Sequence, residues 1–122
     1  MTSQDNPFTL SLRLRIFKGE LVFGPGIAEL MENIQKTGSL SAACKQMGMA
    51  YSKGWKIIRR AEDALNYPLI EGVRGGPGGG NTSLTAKGAD FLARYREMES
   101  ALCADADKLF ARYFPESKEN NP

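Results

Sequence analysis

Two short apolar-periodic segments meet at one glycine between Gly38 and Asn66, and this juxtaposition limits the possible folds more than any other feature of the sequence. Ser39 can cap a helix in which Leu40, Ala43, Cys44 and Met47 recur at helical spacing, and Gly48 ends it after about two turns. About three or four residues later, from Ser52, the pattern is helical again. Trp55, Ile58, Ala61 and Leu65 form one stripe with Lys53, Lys56, Arg59 and Arg60 around the rest, until Asn66-Tyr67-Pro68 terminates the helix. Two short helices joined by a tight glycine turn make a helix-turn-helix pattern.

The flanks complete an architecture. Phe8, Leu10, Leu12, Leu14 and Ile16 alternate with polar residues, which predicts a strand with one buried face. After Gly24-Pro25-Gly26, the apolar residues Ile27, Leu30, Met31 and Ile34 predict a helix that ends at Gly38. Downstream, Leu69 to Val73 and Thr82 to Leu84 read as strands around the glycine-rich loop Arg74-Gly75-Gly76-Pro77-Gly78-Gly79-Gly80-Asn81, the shape of a wing. From Thr85 to about Phe114 the chain carries good helix formers. Leu92, Tyr95, Leu102, Ala106, Leu109 and Tyr113 follow three- and four-residue steps there, with Glu99 interrupting. A helix of that length cannot be covered by so small a domain, so it is expected to pack on a second copy.

With 122 residues the chain has room for one core. The expected fold class is mainly α with a small β-wing: a winged helix-turn-helix with a long C-terminal dimerisation helix. Residues 1–7 form an N-terminal tail, residues 8–114 the domain with its dimerisation helix at 86–114, and residues 115–122 a polar tail.

The chain has no histidine, which removes the commonest general base and transition-metal ligand, so serine triads and zinc hydrolysis are not expected. Cys44 and Cys103 have neither CxxC spacing nor soft ligands nearby and fit a reduced, intracellular protein with no metal site. MTSQDNPF is not a secretory leader, and no apolar run is long enough to span a bilayer. These features predict a cytoplasmic protein that is not an enzyme and has no membrane partner.

Charge is distributed unevenly although the net value is only +2. Between Asn33 and Ala61 there is no Asp or Glu, yet Lys36, Lys45, Lys53, Lys56, Arg59 and Arg60 supply six positive charges; from Glu62 onward ten acids oppose seven bases. A basic segment with an acidic remainder suits a protein with one face on a polyanion; a solvated helix surface is the plainer alternative. In a helix-turn-helix the second helix enters the major groove N-terminus first. Tyr51, Ser52, Lys53 and Lys56 are then the base-reading candidates, Arg59 and Arg60 phosphate anchors, and Ser39 and Ser41 phosphate contacts through hydroxyl and backbone N–H. Trp55, Cys44 and Met47 are read as packing residues. Arg74, Gly75, Gly76, Gly78, Gly79, Asn81 and Thr82 form the part of the wing expected to lie along the neighbouring groove, with Arg74 able to enter a minor groove. The same glycines also fit a plain hairpin tip or an anion nest, but Gly80-Asn81-Thr82 departs from a Walker-type GxxxxGK loop.

GSLSAACKQMGMAYSKGWKIIRRAED, followed by LIEGVRGGPGGGNTSLTAKG, closely resembles the N-terminal DNA-binding domain of ModE-type molybdenum-responsive transcriptional regulators, itself related to the LysR-type winged helix-turn-helix. The resemblance runs from about Leu10 to Phe114 and is most specific at Tyr51 to Trp55, at Gly75 to Gly80 and at Leu84-Thr85-Ala86-Lys87-Gly88. It implies a homodimer, held through the first and last helices, on a palindromic operator in double-stranded DNA. Ile27, Leu30, Leu92, Tyr95, Leu102, Leu109 and Tyr113 are the interface candidates, in keeping with the apolar stripe of the last helix. Family members carry C-terminal β-barrel modules that bind molybdate. No counterpart is present in this sequence, so no cofactor is expected, and effector control is expected to be absent, supplied by a separate effector-sensing protein, or located elsewhere. Two other functions suit the same residues: a winged-helix protein-interaction module with an acidic partner, and a small oxyanion-binding protein using the glycine loop.

Overall fold

A computed structural model of the protein describes residues 8–73 and 81–118. The elements follow in the order β1 (Ile16–Lys18), β2 (Glu20–Phe23), α1 (Pro25–Thr37), α2 (Leu40–Gln46), α3 (Tyr51–Leu65), β3 (Ile70–Val73), β4 (Asn81–Leu84) and α4 (Ala86–Tyr113), with a 3-10 turn at Pro115–Lys118. Contacts divide the chain into two compact units: Leu14–Arg94, and residues 8–13 with Tyr95 onward.

In the first unit each helix end has a local cause. Proline in its first turn starts α1, and Gly38 at φ 73° stops it, its N–H donating to the Ile34 carbonyl. The Ser39 hydroxyl accepts the Ala42 N–H at 3.0 Å to cap α2, a contact worth about 1 kcal/mol. Gly48, at φ +65°, makes the turn into α3. Asn66 takes the left-handed conformation that ends α3, and the Glu62 carboxylate accepts the Leu69 and Ile70 N–H groups at 2.7 and 3.3 Å, holding the path into β3.

Phe23, Leu30, Met31, Ile34, Ile58 and Leu69 are fully buried in this unit and form its core, each burial worth about 1.5–3 kcal/mol. The buried stripe of α3 consists of Gly54, Ile58 and Ala61. Trp55, expected to pack in the core, is instead 40% exposed. The reason lies in how closely α2 and α3 approach: a Cβ on Gly54 would run into the Cys44 sulfur, so the inner face of α3 has room only for hydrogen at that position. With Gly54, Ile58 and Ala61 on the inward stripe, the tight fit being at position 54 alone, the neighbouring position 55 falls off that stripe and the indole is turned outward.

The wing strands pair antiparallel with Ile70 opposite Leu84 and Val73 opposite Asn81. The Thr82 N–H donates to the Gly38 carbonyl at 2.8 Å, which ties β4 to the end of α1, and the Thr85 N–H donates to the Leu69 carbonyl at 2.9 Å, which continues the hairpin one step beyond Ile70 and Leu84. The Thr85 hydroxyl donates to the Pro68 carbonyl at 2.8 Å and accepts the Gly88 N–H at 2.9 Å, so one side chain closes the wing and caps α4. Gly88 packs against the Leu69 backbone so closely that a Cβ would meet the Leu69 carbonyl oxygen.

The strand expected over Phe8 to Ile16 is not formed. Only Ile16–Lys18 is extended and paired, turning at Gly19 (φ +79°) to β2. Phe8, Leu10 and Leu12 are 40–48% exposed. Alternation signals one-sided burial, but a strand also needs a hydrogen-bonding neighbour, and among the described residues β1 pairs only with β2.

The second half of α4 belongs to the other unit. Met98, Leu102, Leu109 and Tyr113 are exposed along it, and the Phe114 ring, just beyond its end, packs at a tilt of 44° on Phe110 with 5.6 Å between ring centroids.

Candidate nucleic-acid interface

The residues expected at the base edges come from the outer face of α3. Tyr51, Ser52, Lys53 and Lys56 are all exposed in the first turns of the helix, and Arg59 and Arg60 continue the same face. No Asp or Glu lies between Asn33 and Ala61, so this face is cationic from the start of α3 until Asp63. Ala50, at the N-cap position, supplies no side-chain acceptor to the first turn.

The β1–β2 hairpin extends this surface. Lys18 donates to the Ala64 carbonyl at 3.1 Å, and Glu20 faces Arg60 at 3.9 Å, with both side chains more than half exposed. Together with Val22 and Ala64, the cations Lys18, Lys56, Arg59 and Arg60 and the carboxylates Glu20 and Asp63 line an open cleft of about 590 Å³. The alternation that predicts a strand ends at Ile16, before Lys18, Glu20 and Val22, so the sequence pattern carries no sign of the hairpin's contribution. Arg59 also holds its guanidinium over the Trp55 ring at 5.5 Å, which leaves Tyr51, Trp55 and Arg59 on one exposed ridge.

The remaining candidates fall in different settings. Ser39 and Ser41 are half-buried at the start of α2, and the Ser39 N–H, expected to be offered to phosphate, is already donated to the Thr37 hydroxyl at 3.2 Å. Asn81 is exposed and Thr82 half-buried at the base of the wing, while Arg74, Gly75, Gly76, Gly78 and Gly79 lie outside the described residues. Of the expected contacts between copies, Ile27, Leu30, Leu92 and Tyr95 are buried within the chain and have almost no surface to offer a second copy. Leu102, Leu109 and Tyr113 are exposed at 40, 49 and 68%.

Burial raises the Cys44 thiol above the usual range, which keeps it a packing group. Among the described residues no group of three or more His, Cys, Asp or Glu is placed to hold a metal ion, and no helix is long and apolar enough to cross a membrane.

The arrangement of these elements has known counterparts. The family described as bacterial regulatory helix-turn-helix proteins, lysR family, matches residues 28–89, half of the chain, from within α1 through the wing to the start of α4. The chain belongs to this family. It is a regulatory helix-turn-helix protein and not an enzyme. Among curated relatives, the molybdenum transport protein ModE of Herbaspirillum seropedicae is 39% identical over 70 residues, covering 57% of this chain and 26% of that protein. The molybdenum transport protein ModE of Azotobacter vinelandii is 34% identical over 83 residues, covering 68% and 31%. The DNA-binding transcriptional dual regulator ModE of Escherichia coli (strain K12) is 29% identical over 107 residues, covering 83% and 39%. The chain therefore spans between about a quarter and two fifths of the length of these relatives.

Solved structures agree on the fold. The DNA-binding domain of CbnR, in a crystal structure with DNA, superposes with a TM-score of 0.57 at 20% identity over 72% of this chain and 95% of that one. CbnR itself, a LysR family transcriptional regulator, gives 0.54 at 21% identity, covering 70% of this chain and 28% of that one. The fold of the LysR-family chain is a winged helix-turn-helix followed by a long helix.

Proposed function

We propose that this chain binds double-stranded DNA as a homodimer on a palindromic operator and regulates transcription of genes concerned with molybdenum. The observation that carries the reading is the outer face of α3, where Lys53, Lys56, Arg59 and Arg60 are exposed on the second helix of a helix-turn-helix. The molybdenum link rests on the relatives called ModE.

Roles follow from position. Tyr51, Ser52, Lys53 and Lys56 read base edges, Arg59 and Arg60 hold phosphate, and the Ser39 and Ser41 hydroxyls meet the backbone at the start of α2. Asn81 and Thr82 form the described base of the wing and lie along the adjoining groove. The copies meet through Leu102, Leu109 and Tyr113, whose exposure on a regular helix otherwise places apolar area in water.

The test is selection of bound sequences from a random duplex pool at physiological salt, with the mass of the complex measured on an enriched site. An inverted repeat holding two chains is the expected result. Weak enrichment, with affinity vanishing as salt rises, would leave an electrostatic binder without readout and overturn the proposal. Lys53→Ala or Lys56→Ala should weaken the enriched site by about 1–3 kcal/mol, whereas Arg60→Ala should weaken all sequences alike.

A further inference from the structure

We propose that Trp55 is a specificity-determining residue of the DNA interface, packing its indole edge against a thymine methyl group in the major groove while Arg59, stacked on the same ring, holds the adjoining phosphate. This inference rests on the DNA-binding reading above and adds a residue whose sequence pattern pointed to the core.

Three observations carry it. First, Trp55 is 40% exposed on a helix whose inner face is sealed by Gly54, Ile58 and Ala61, so the fold of its own unit leaves much of the largest side chain of α3 in water. Exposure of that size is costly for an indole, and a partner surface that covers it relieves the cost. Second, the ring is not alone: Tyr51, 55% exposed, lies one turn before it and Arg59 one turn after, and side chains four apart on a helix share a face. Third, Arg59 places its guanidinium 5.5 Å from the ring centroid, within cation–π range, which orients the planar fork while leaving its N–H groups for an oxyanion.

The chemistry of the occupant follows from what surrounds the ring. Lys53, Lys56 and Arg60 share the outer face of α3, the carboxylates lining the adjoining cleft are Glu20 and Asp63 against four cations, and the Glu62 carboxylate is taken up by the Leu69 and Ile70 N–H groups, so the surface favours a polyanion over an apolar peptide. Within the major groove of a duplex the apolar group that a base edge presents is the thymine C5-methyl. An aromatic edge beside a row of lysines therefore supplies what lysine cannot, discrimination of thymine from cytosine at one step. The fork of Arg59, one turn further along the helix, is placed for the backbone rather than for a base.

The chain contains one tryptophan, so its emission reports on position 55 alone. The experiment titrates the full chain with an enriched duplex and with a random-sequence duplex at matched occupancy, and repeats the enriched duplex with each half-site thymine replaced in turn by uracil, which lacks the methyl. The expected result is a change in tryptophan emission on the enriched duplex that is reduced on the random one. One uracil substitution should weaken the wild type roughly fivefold or more. Trp55→Ala should lose roughly as much on the enriched duplex, change less than about twofold on random DNA, and become insensitive to the uracil substitution. Trp55→Phe, which keeps an apolar ring on the same helix, should retain most of the uracil sensitivity.

Unchanged emission on a bound enriched duplex would overturn the proposal while leaving the DNA-binding reading intact, and so would uracil sensitivity that persists in Trp55→Ala. Equal losses for Trp55→Ala on both duplexes would also overturn it and assign the residue to packing or to phosphate. Failure of the wild type to bind any duplex would defeat the DNA-binding reading itself, and this inference with it.

Discussion

α3 and α4 are both amphipathic helices, yet they dispose of their apolar residues in opposite ways. On α3 the small residues Gly54 and Ala61 face inward beside Ile58, and the large aromatics Tyr51 and Trp55 face out. On α4, Leu92 and Tyr95 are covered by the chain, while Leu102, Leu109 and Tyr113, further along the expected stripe, remain exposed. Periodicity says that a stripe is kept from water. It does not say whether the cover is the same chain, a second copy or a nucleic acid. Local geometry decides that: how close the neighbouring helix comes, and whether any neighbour is there.

The largest effect should come from breaking the exposed half of α4. If the copies meet as proposed, Leu102→Lys with Leu109→Lys should convert the proposed dimer to monomers in sedimentation at micromolar concentration, since each leucine lost from a buried interface costs about 1.5–3 kcal/mol per protomer. A double variant that sediments like the wild type would remove this face from the interface. Thermal unfolding of the isolated monomer should change little, because these side chains are already in solvent.

Next comes the tight side of α3. Gly54→Ala should destabilise the chain by about 1–3 kcal/mol in denaturant unfolding, although alanine is the better helix former by about 1 kcal/mol. The opposing group is the Cys44 sulfur, so combining Gly54→Ala with Cys44→Ala should recover a large part of the loss. Equal losses in both backgrounds would mean that another contact sets the helix spacing.

At the junction between wing and α4, Thr85→Ala removes the bond to the Pro68 carbonyl and the cap on the Gly88 N–H. The expected cost is about 1–2 kcal/mol. Thr85→Ser should restore most of it, and a serine variant no better than alanine would assign the effect to the lost methyl group.

The smallest effect concerns pH. Burial raises the Cys44 thiol in the folded chain, so the unfolded chain ionises first as pH rises. Stability from this group is complete below the unfolded thiol value of roughly 8.5 and is lost as pH climbs towards the folded value. Unfolding free energies from pH 7 to 10 should fall more steeply for the wild type than for Cys44→Ala. Parallel curves would show that the thiol contributes nothing to the alkaline loss.

Much of this protein was legible as text. The capping serine Ser39, the stopping glycines Gly38 and Gly48, the Asn66 terminus and the pairing of Leu69 to Val73 with Thr82 to Leu84 act within a few residues, and each holds at or within one residue of its expected place. The basic outer face of α3 was equally legible, because the absence of carboxylates from Asn33 to Ala61 is a property of composition. Other features were not. Alternation from Phe8 to Leu14 resembles a strand, but pairing needs a neighbour that no local pattern announces. The reach of Lys18 to Ala64 and of the Glu62 carboxylate to Leu69 joins residues whose proximity depends on how elements dock. Gly54 carried a signal that could have been used, a glycine inside an otherwise good helix, where it costs stability unless something packs against it.

Local sequence by itself determined where helices begin and end, how the glycine turns are shaped and which face of α3 is cationic, because caps, left-handed turns and charge placement act over a few residues. Tertiary structure alone decided that Trp55 faces solvent and that Ile27 and Leu30 are spent on the chain's own core while Leu102 and Leu109 are not. Burial is a property of the distance between elements, and that distance is set by pairs such as Gly54 with Cys44 and Gly88 with Leu69, whose members lie on either side of a turn or hairpin and meet only when the flanking elements dock.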